Sequence, residues 1–268
     1  MAPSQAEKAA TFRALHQGDP FVIPNPWDAG TAKILAGLGF NALATTSGGF
    51  AFSIGQPDGG EVSLEQVARH VASIAGATDL PVSVDLENGY GPAPEDAAQA
   101  ISRAAEAGAV GGSIEDFDRD ERRLYERDEA VERVAAAVEA ARSLDFPFTL
   151  TARAENHFRK NPDLDDTIAR LRAYEEAGAD VLYAPGLHKL EDIKAVCDAV
   201  SKPVNVLAFM QLGLSMSELA EAGAQRVSIG SGLTWTATTA VVEAAERLLE
   251  GDFSALGKPG RVKEWLGD

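Results

Sequence analysis

Four times along this chain a helix-period stretch ends in a small-residue signature: GLGF at 37–40 and EAGA at 106–109, 176–179 and 221–224. A short apolar, β-branched run follows each one. Gly39, Gly108, Gly178 and Gly223 suit the left-handed position just past a helix end, so the signature reads as helix, tight loop, strand. The same alternation extends over the whole chain. Strand-like runs stand at 21–28, 41–49, 81–91, 109–117, 147–156, 180–186, 203–209 and 226–232, separated by stretches with helical apolar spacing such as 97–109 and 165–179. Eight such units with no break in composition predict an α/β protein of one domain, a (β/α)8 barrel over about 20–245 with a helical tail at 246–268. An open doubly wound sheet is the competing arrangement, and no GxGxxG turn follows the first strand to support it. Trp265 and Leu266 on the otherwise polar tail predict that it packs on its own barrel or on a neighbouring subunit.

Charge narrows the partners. With 41 acidic and 24 basic residues the formal net charge is −17, which repels nucleic acid and anionic membranes. An anionic substrate then needs a local positive centre, from a metal ion or a placed arginine. The single cysteine, Cys197, excludes an intrachain disulfide and sits in a helical pattern as a packed thiol. The first residues carry no apolar signal segment, and no run reaches the roughly 18 apolar residues of a membrane span, so a soluble cytoplasmic protein is expected.

In such barrels the chemistry sits at the carboxyl ends of the strands. Those ends present Trp27 and Asp28, then Ser47-Gly48-Gly49, Asp85 and Glu87, Glu115 and Asp116, Arg153 and Glu155, Tyr183, Asn205, and the 228–232 turn. Asp85, Glu87 and Glu115 on adjacent strands would crowd like charges, which raised pKa values or a cation must relieve. Without His or Cys nearby, the cation read from these oxygens is Mg2+ or Mn2+. Helix capping and ion pairing are the plainer alternative for one or two of them.

The Ser47-Gly48-Gly49 stretch reads either as a backbone N–H nest for an oxyanion or as a plain tight turn. Arg153 is placed to hold a substrate carboxylate bidentately, a role compatible with an ion pair to Glu115 or Glu155. Trp27 and Asn205 are the further substrate-binding candidates, and Arg153 and Ser47 the catalytic ones. The 228–232 turn could serve a phosphate or simply close the barrel. The charged stretch 115–133 reads as a solvated loop, or over 118–125 as a lid that brings Arg119, Arg122 or Arg123 to the substrate. His157 is expected on the surface. A Schiff-base aldolase would need a lysine at a strand end, and Lys160 and Lys202 fall in loops.

Several segments together resemble the isocitrate lyase/phosphoenolpyruvate mutase superfamily: PNPWDAGTAKILAGLGF, TTSGG, PDGGEVS at 57–63, VDLENGYG, SIED and TARAE. The resemblance implies that Asp85 holds Mg2+ and that Asp58, Glu87 and Glu115 surround the ion, largely through waters. It implies that Ser47-Gly48-Gly49 binds the oxygens of an α-keto acid or enolate and that Arg153 clamps a carboxylate. It also implies a dimer or tetramer in which a C-terminal helix is exchanged between subunits. The chain departs from the lyases in having FDRDERRLYER where they carry a KKCGH-type loop, Glu87 where an aspartate is usual, and YAPG where a glutamate often stands. TARAE is nearer the phosphonate branch. The implied activity is C–C cleavage of the oxaloacetate-decarboxylase or lyase type through an enolpyruvate-like intermediate. Phosphonate chemistry of the mutase or phosphonopyruvate hydrolase kind is the alternative, and a non-catalytic ketoacid-binding barrel is the alternative outside enzymes.

Overall fold

The computed structural model describes residues 2–208, 213–258 and 260–266. Eight parallel strands form one sheet: Phe21–Ile23, Leu43–Ala44, Val82–Asp85, Gly111–Glu115, Thr149–Arg153, Val181–Tyr183, Val204–Leu207 and Ala224–Ser228. From the second strand to the eighth each pairs with the next in sequence, and the first pairs with the eighth, so that the first and second stand at the two open edges. The Ala44 N–H donates to the Pro24 carbonyl at 3.1 Å and the Asn25 amide donates to the Thr45 carbonyl at 3.0 Å, which brings the second strand onto the first. The sheet is therefore a nearly closed (β/α)8 barrel, as the alternation predicts. The strands are shorter than their apolar runs, because in several the run continues into the loop that carries the site. Phe209, the last residue of the predicted seventh strand, lies outside the described residues, as do Gly267 and Asp268 of the tail.

Helix starts and stops follow local chemistry. Ser63 and Gln66 cap each other at the start of the helix Leu64–Gly76, as Ser215 and Glu218 do at Met216–Glu221. The expected helix-ending glycines have positive φ, +94° at Gly108 and +103° at Gly178. Small residues set the outer layer: Ala97, Ala100, Ile101 and Ala104 of helix Pro94–Glu106 recur at helical spacing and are fully or almost fully buried. This helix packs against Arg127–Arg142, whose Ala130, Val134, Ala137 and Ala141 face inward.

A helix ahead of the first strand, Gln5–Leu15, closes the amino-terminal end of the barrel. Its Phe12 is fully buried, and a Cβ added at Gly111 would stand 2.7 Å from the Phe12 ring. Cys197 is half-buried in helix Leu190–Ala199 and its thiol is pushed up to about 11 by burial, as expected of a packed thiol. The tail helix Val262–Leu266 lies on Ala29–Gly37 of the same chain, with Trp265 against Gly37. By contrast, the long helix Gly232–Leu249 buries only Thr234 and leaves Val241, Val242 and Leu249 exposed. No helix among the described residues is long and apolar enough to cross a membrane.

Candidate active site

At the carboxyl end of the barrel lies a cavity of about 330 Å³. Four carboxylates, Asp58, Asp85, Glu87 and Glu115, and five guanidinium groups, Arg119, Arg122, Arg153, Arg159 and Arg226, line it among the described residues. In a chain of net charge −17 this cavity concentrates five guanidinium groups against four lining carboxylates, with Glu155 as a fifth carboxylate just behind Arg153 and Arg159. No lysine lines it among the described residues, which agrees with setting the Schiff-base reading aside.

Arg153 organises the centre. From the end of the fifth strand it meets Asp85 at 2.8 Å, Glu115 at 3.1 Å and Glu155 at 2.8 Å. Burial opposes its charge, yet Glu155, Glu115 and Asp85 outweigh burial and hold it firmly protonated. Arg159 meets Glu115 at 3.0 Å and Glu155 at 3.1 Å, with its guanidinium 3.8 Å above the centre of the Phe117 ring. Glu115 is therefore turned toward two guanidinium groups. Burial first, then the Glu155 charge, still raises its carboxyl pKa well above the ordinary range.

Asp85 accepts from the Ser47 backbone N–H at 3.2 Å. The structure corrects the reading of 41–49 as a strand with a glycine turn. The strand is only Leu43–Ala44, and Ser47–Ser53 is a short helix capped by the Thr46 side chain. Its first N–H groups reach the cavity. A Cβ added at Gly48 would stand 2.6 Å from the Ser231 hydroxyl and 3.2 Å from the Asp58 carboxyl, so only glycine leaves that approach open. Gly49 is buried away from the cavity, 3.0 Å from the Trp27 Cβ by the same construction, and Trp27 supports the helix from behind instead of lining the cavity. Asn205 does line it, as do Gly230 and Ser231 of the last turn.

Glu87 was expected at a strand end, but the third strand stops at Asp85 and Glu87 has φ +48°. Tyr90, three residues on, has φ +66°. This strained loop is held from outside by Arg133, which donates to the carbonyls of Asn88, Gly91, Pro92 and Ala93. Glu87 meets Arg119 at 2.9 Å. Burial nevertheless outweighs Arg119, and with the Asp85 and Asp58 charges it pushes the Glu87 carboxyl up to about 7. Asp58 is raised as well, by burial of its carboxyl and then by the Asp85 charge.

The lid stretch forms a hairpin, Phe117–Asp118 with Arg123–Leu124. Arg119 and Arg122 line the cavity, whereas Arg123 is held outside it by Glu121 and Glu129. His157 is not among the residues lining the cavity. Arg159 joins the site without having been singled out, whereas Tyr183, one of the strand-end residues, lines it. The spacing Glu155–Arg159, one helical turn, is the one signal that was available for the former.

Whether these groups suit a cation follows from their chemistry. No three His, Cys, Asp or Glu side chains among the described residues form a preassembled metal cage. Asp58, Asp85 and Glu87 are instead oxygen donors under mutual repulsion, two of them with raised pKa values. Such a set fits a hard divalent ion that keeps several of its waters. Glu115 is engaged by arginines and stands behind this set. Binding should displace the proton that Glu87 partly holds near neutral pH. Titration of Mg2+ at pH 6.5 in buffers of different ionisation enthalpy is expected to show release of a fraction of a proton per ion. Equal heats in all buffers would count against the fit.

The family model described as phosphoenolpyruvate phosphomutase matches residues 12–249. A solved structure from Burkholderia cenocepacia J2315, provisionally described as a lyase/mutase, is 54% identical, covers 98% of this chain and 97% of its own, and superposes with a TM-score of 0.94. The 2-methylisocitrate lyase of Escherichia coli (strain K12) is 30% identical over 210 residues, 75% of this chain and 68% of that enzyme. An oxaloacetate acetylhydrolase solved with its product oxalate is 26% identical, with a TM-score of 0.89 over 97% of this chain and 94% of that one.

Proposed function

Because the chain belongs to the isocitrate lyase/phosphoenolpyruvate mutase superfamily, a family of lyases and mutases, we propose that it is a Mg2+-dependent enzyme cleaving a C–C bond in a small α-keto acid. The reaction is of the oxaloacetate-decarboxylase or lyase type and passes through an enolpyruvate-like intermediate. The observation that carries this reading is the convergence of Asp85, the Ser47 backbone N–H and Arg153 at one wall of an arginine-lined cavity. Asp85 would hold the ion, with Asp58 and Glu87 around it; Mn2+ offers the same preference for oxygen. When bound, the ion supplies Lewis-acid polarisation of a carbonyl.

The chain's own groups do the rest. With the Ser47 N–H on Asp85 and the Gly49 N–H on Thr46, the Gly48 N–H is the preorganised donor left for a developing oxyanion. Arg153 orients a substrate carboxylate, and the Ser47 hydroxyl and the Asn205 amide supply neutral hydrogen bonds at the edges. Loss of CO2 from a β-keto acid needs no base to begin, which suits a site whose loop lacks the lyase cysteine. The oxalate bound to the acetylhydrolase is an enolate-shaped dianion, and a cavity lined by five arginines suits such a species.

A panel of oxaloacetate, 2-hydroxy diacids and phosphonopyruvate with Mg2+ tests the proposal. Turnover of a C–C substrate is expected, with EDTA and Asp85→Ala each lowering kcat/KM by at least a thousandfold. Metal-independent turnover would sink it. Turnover of phosphonopyruvate alone would favour the phosphonate reading, which the matched family model supports. Tight oxalate binding without any turnover would leave a ketoacid-binding barrel.

The enzyme is further proposed to be a homo-oligomer. The support is helix Gly232–Leu249, whose Val241 is 66% and Leu249 90% exposed, too apolar a face for water. This helix, more than the tail at 251–268, is the element for a second copy to cover. Sedimentation at micromolar concentration is expected to show a dimer or tetramer, and Val241→Glu with Leu249→Glu to shift it to monomer; a wild-type monomer would refute this.

A further inference from the structure

Below the catalytic cavity the barrel interior departs from the usual filling of Val, Ile and Leu. Arg226, on the inward face at the start of the eighth strand, is 5% exposed and reaches the cavity floor. Its contacts are all with neutral groups. Nε donates to Asn205 Oδ1 at 2.8 Å, Nη2 donates to Thr151 Oγ1 at 3.0 Å, and Nη1 lies 3.3 Å from His16 Nε2. His16 Nδ1 is 2.8 Å from the Phe12 carbonyl, which can only accept, so Nε2 is left to accept from Arg226. Burial, and then the Arg226 charge, hold His16 neutral, with its pKa down to about 3. Among the described residues no carboxylate pairs with Arg226, and burial lowers its own pKa to about 10.

A buried guanidinium without a counter-charge is costly, and it is held here by three buried neutral acceptors that depend on it in turn. Its consequence is directional. An arginine has only donors, so Asn205 must present its oxygen downward and its NH2 upward. That NH2 donates to Ser228 Oγ at 2.9 Å, and both Asn205 and Ser228 line the cavity. Arg119, Arg153 and Arg159 each meet a carboxylate at the cavity, whereas Arg226 meets none.

We propose that Arg226 is a positioning residue for the reaction: it fixes the Asn205 amide with its NH2 toward Ser228 and the cavity, and its uncompensated charge is balanced by the substrate anion. The second half rests on the ketoacid reading above; the first does not.

Three measurements on Arg226→Met test this: thermal stability without ligand, oxalate affinity with Mg2+ by calorimetry, and the side-chain NH2 resonances of Asn205 in 15N-labelled protein, assigned by their absence from Asn205→Asp. The expected results are a lower Tm, since three buried acceptors lose their donor, affinity lower by about ten- to a hundredfold, and displaced or exchange-broadened Asn205 signals. Arg226→Gln, which keeps an N–H donor but no charge, should leave those signals near their wild-type positions and still bind oxalate more weakly. If the Met protein does not fold, the Gln protein decides the matter through the same signals and affinity. Unmoved Asn205 signals in Arg226→Met, or wild-type oxalate affinity in both variants, would overturn the assignment. Wild-type protein that fails to bind oxalate would instead defeat the ketoacid reading, while the Asn205 signals still decide the positioning role.

Discussion

Arg153→Met is expected to abolish measurable turnover and to lower stability at pH 8 by about 3–5 kcal/mol, the usual cost of removing one partner from a buried ion pair. The arginine touches Asp85, Glu115 and Glu155, so its loss takes a partner from three carboxylates and leaves Glu115 and Glu155, both almost fully buried, to Arg159 alone. Whole domains are stable by only about 5–15 kcal/mol, so this is a large fraction. The deficit should depend on pH with a definite sign. Glu115 already has a raised carboxyl pKa in the folded protein, and removing Arg153 raises it further. A raised folded-state value means that stability falls as pH climbs from the ordinary carboxyl value toward the folded one. The gap between variant and wild type should therefore be widest above neutrality and narrow toward pH 5. Urea denaturation at pH 5 and pH 8 measures it. A Met variant as stable as the wild type at pH 8 would show that the triad is not a stabilising unit.

The second large effect runs the other way. Glu87→Gln should make the metal-free protein more stable at pH 8 by about 2 kcal/mol while reducing metal-dependent turnover on the order of a hundredfold. The rise of this carboxyl from 4.5 to about 7 corresponds to a destabilisation of about 3 kcal/mol above pH 7. Loss of the pairing with Arg119 at 2.9 Å subtracts part of the gain. In the wild type the penalty grows from about pH 4.5, where the unfolded chain ionises, to about pH 7, where the folded one does. The advantage of the variant should vanish near pH 4. Glutamine keeps the side-chain length and the same left-handed backbone strain, so that strain cancels in the comparison. Thermal melts from pH 4 to pH 8 without metal read the effect, and a variant uniformly less stable would refute it.

The barrel was legible because its repeat is built from local rules, helix-ending glycines and apolar runs, that do not depend on distant contacts. Asp85, Ser47 and Arg153 were legible because strand ends in a barrel converge. Strand lengths were overread, since VDLENGYG stays apolar and compact past the point where Glu87 turns left-handed. Ser47–Ser53 escaped notice as a helix because Ser-Gly-Gly is poor helix sequence, and the Thr46 cap and the packing of Trp27 on Gly49 override that preference. Trp27 was misplaced for the related reason that lying near a strand end does not determine which side of the loop a ring takes. Arg226 could have been suspected: two residues before Ser228, it shares the inward phase of that strand. Arg159 is signalled only by its spacing of one helical turn from Glu155, and the path of its loop is what returns it to Glu115.

The exposed stripe on helix Gly232–Leu249 bears on what can be said of this chain at a given dilution. If the helix is covered by another copy, mass action enters the folding equilibrium, and apparent Tm becomes a function of subunit concentration. The same helix begins at the Gly230–Ser231 wall of the cavity. Specific activity would then fall on dilution through the loosening of that wall, and a rate per milligram measured at nanomolar enzyme would describe a different species from the one that is stable at micromolar.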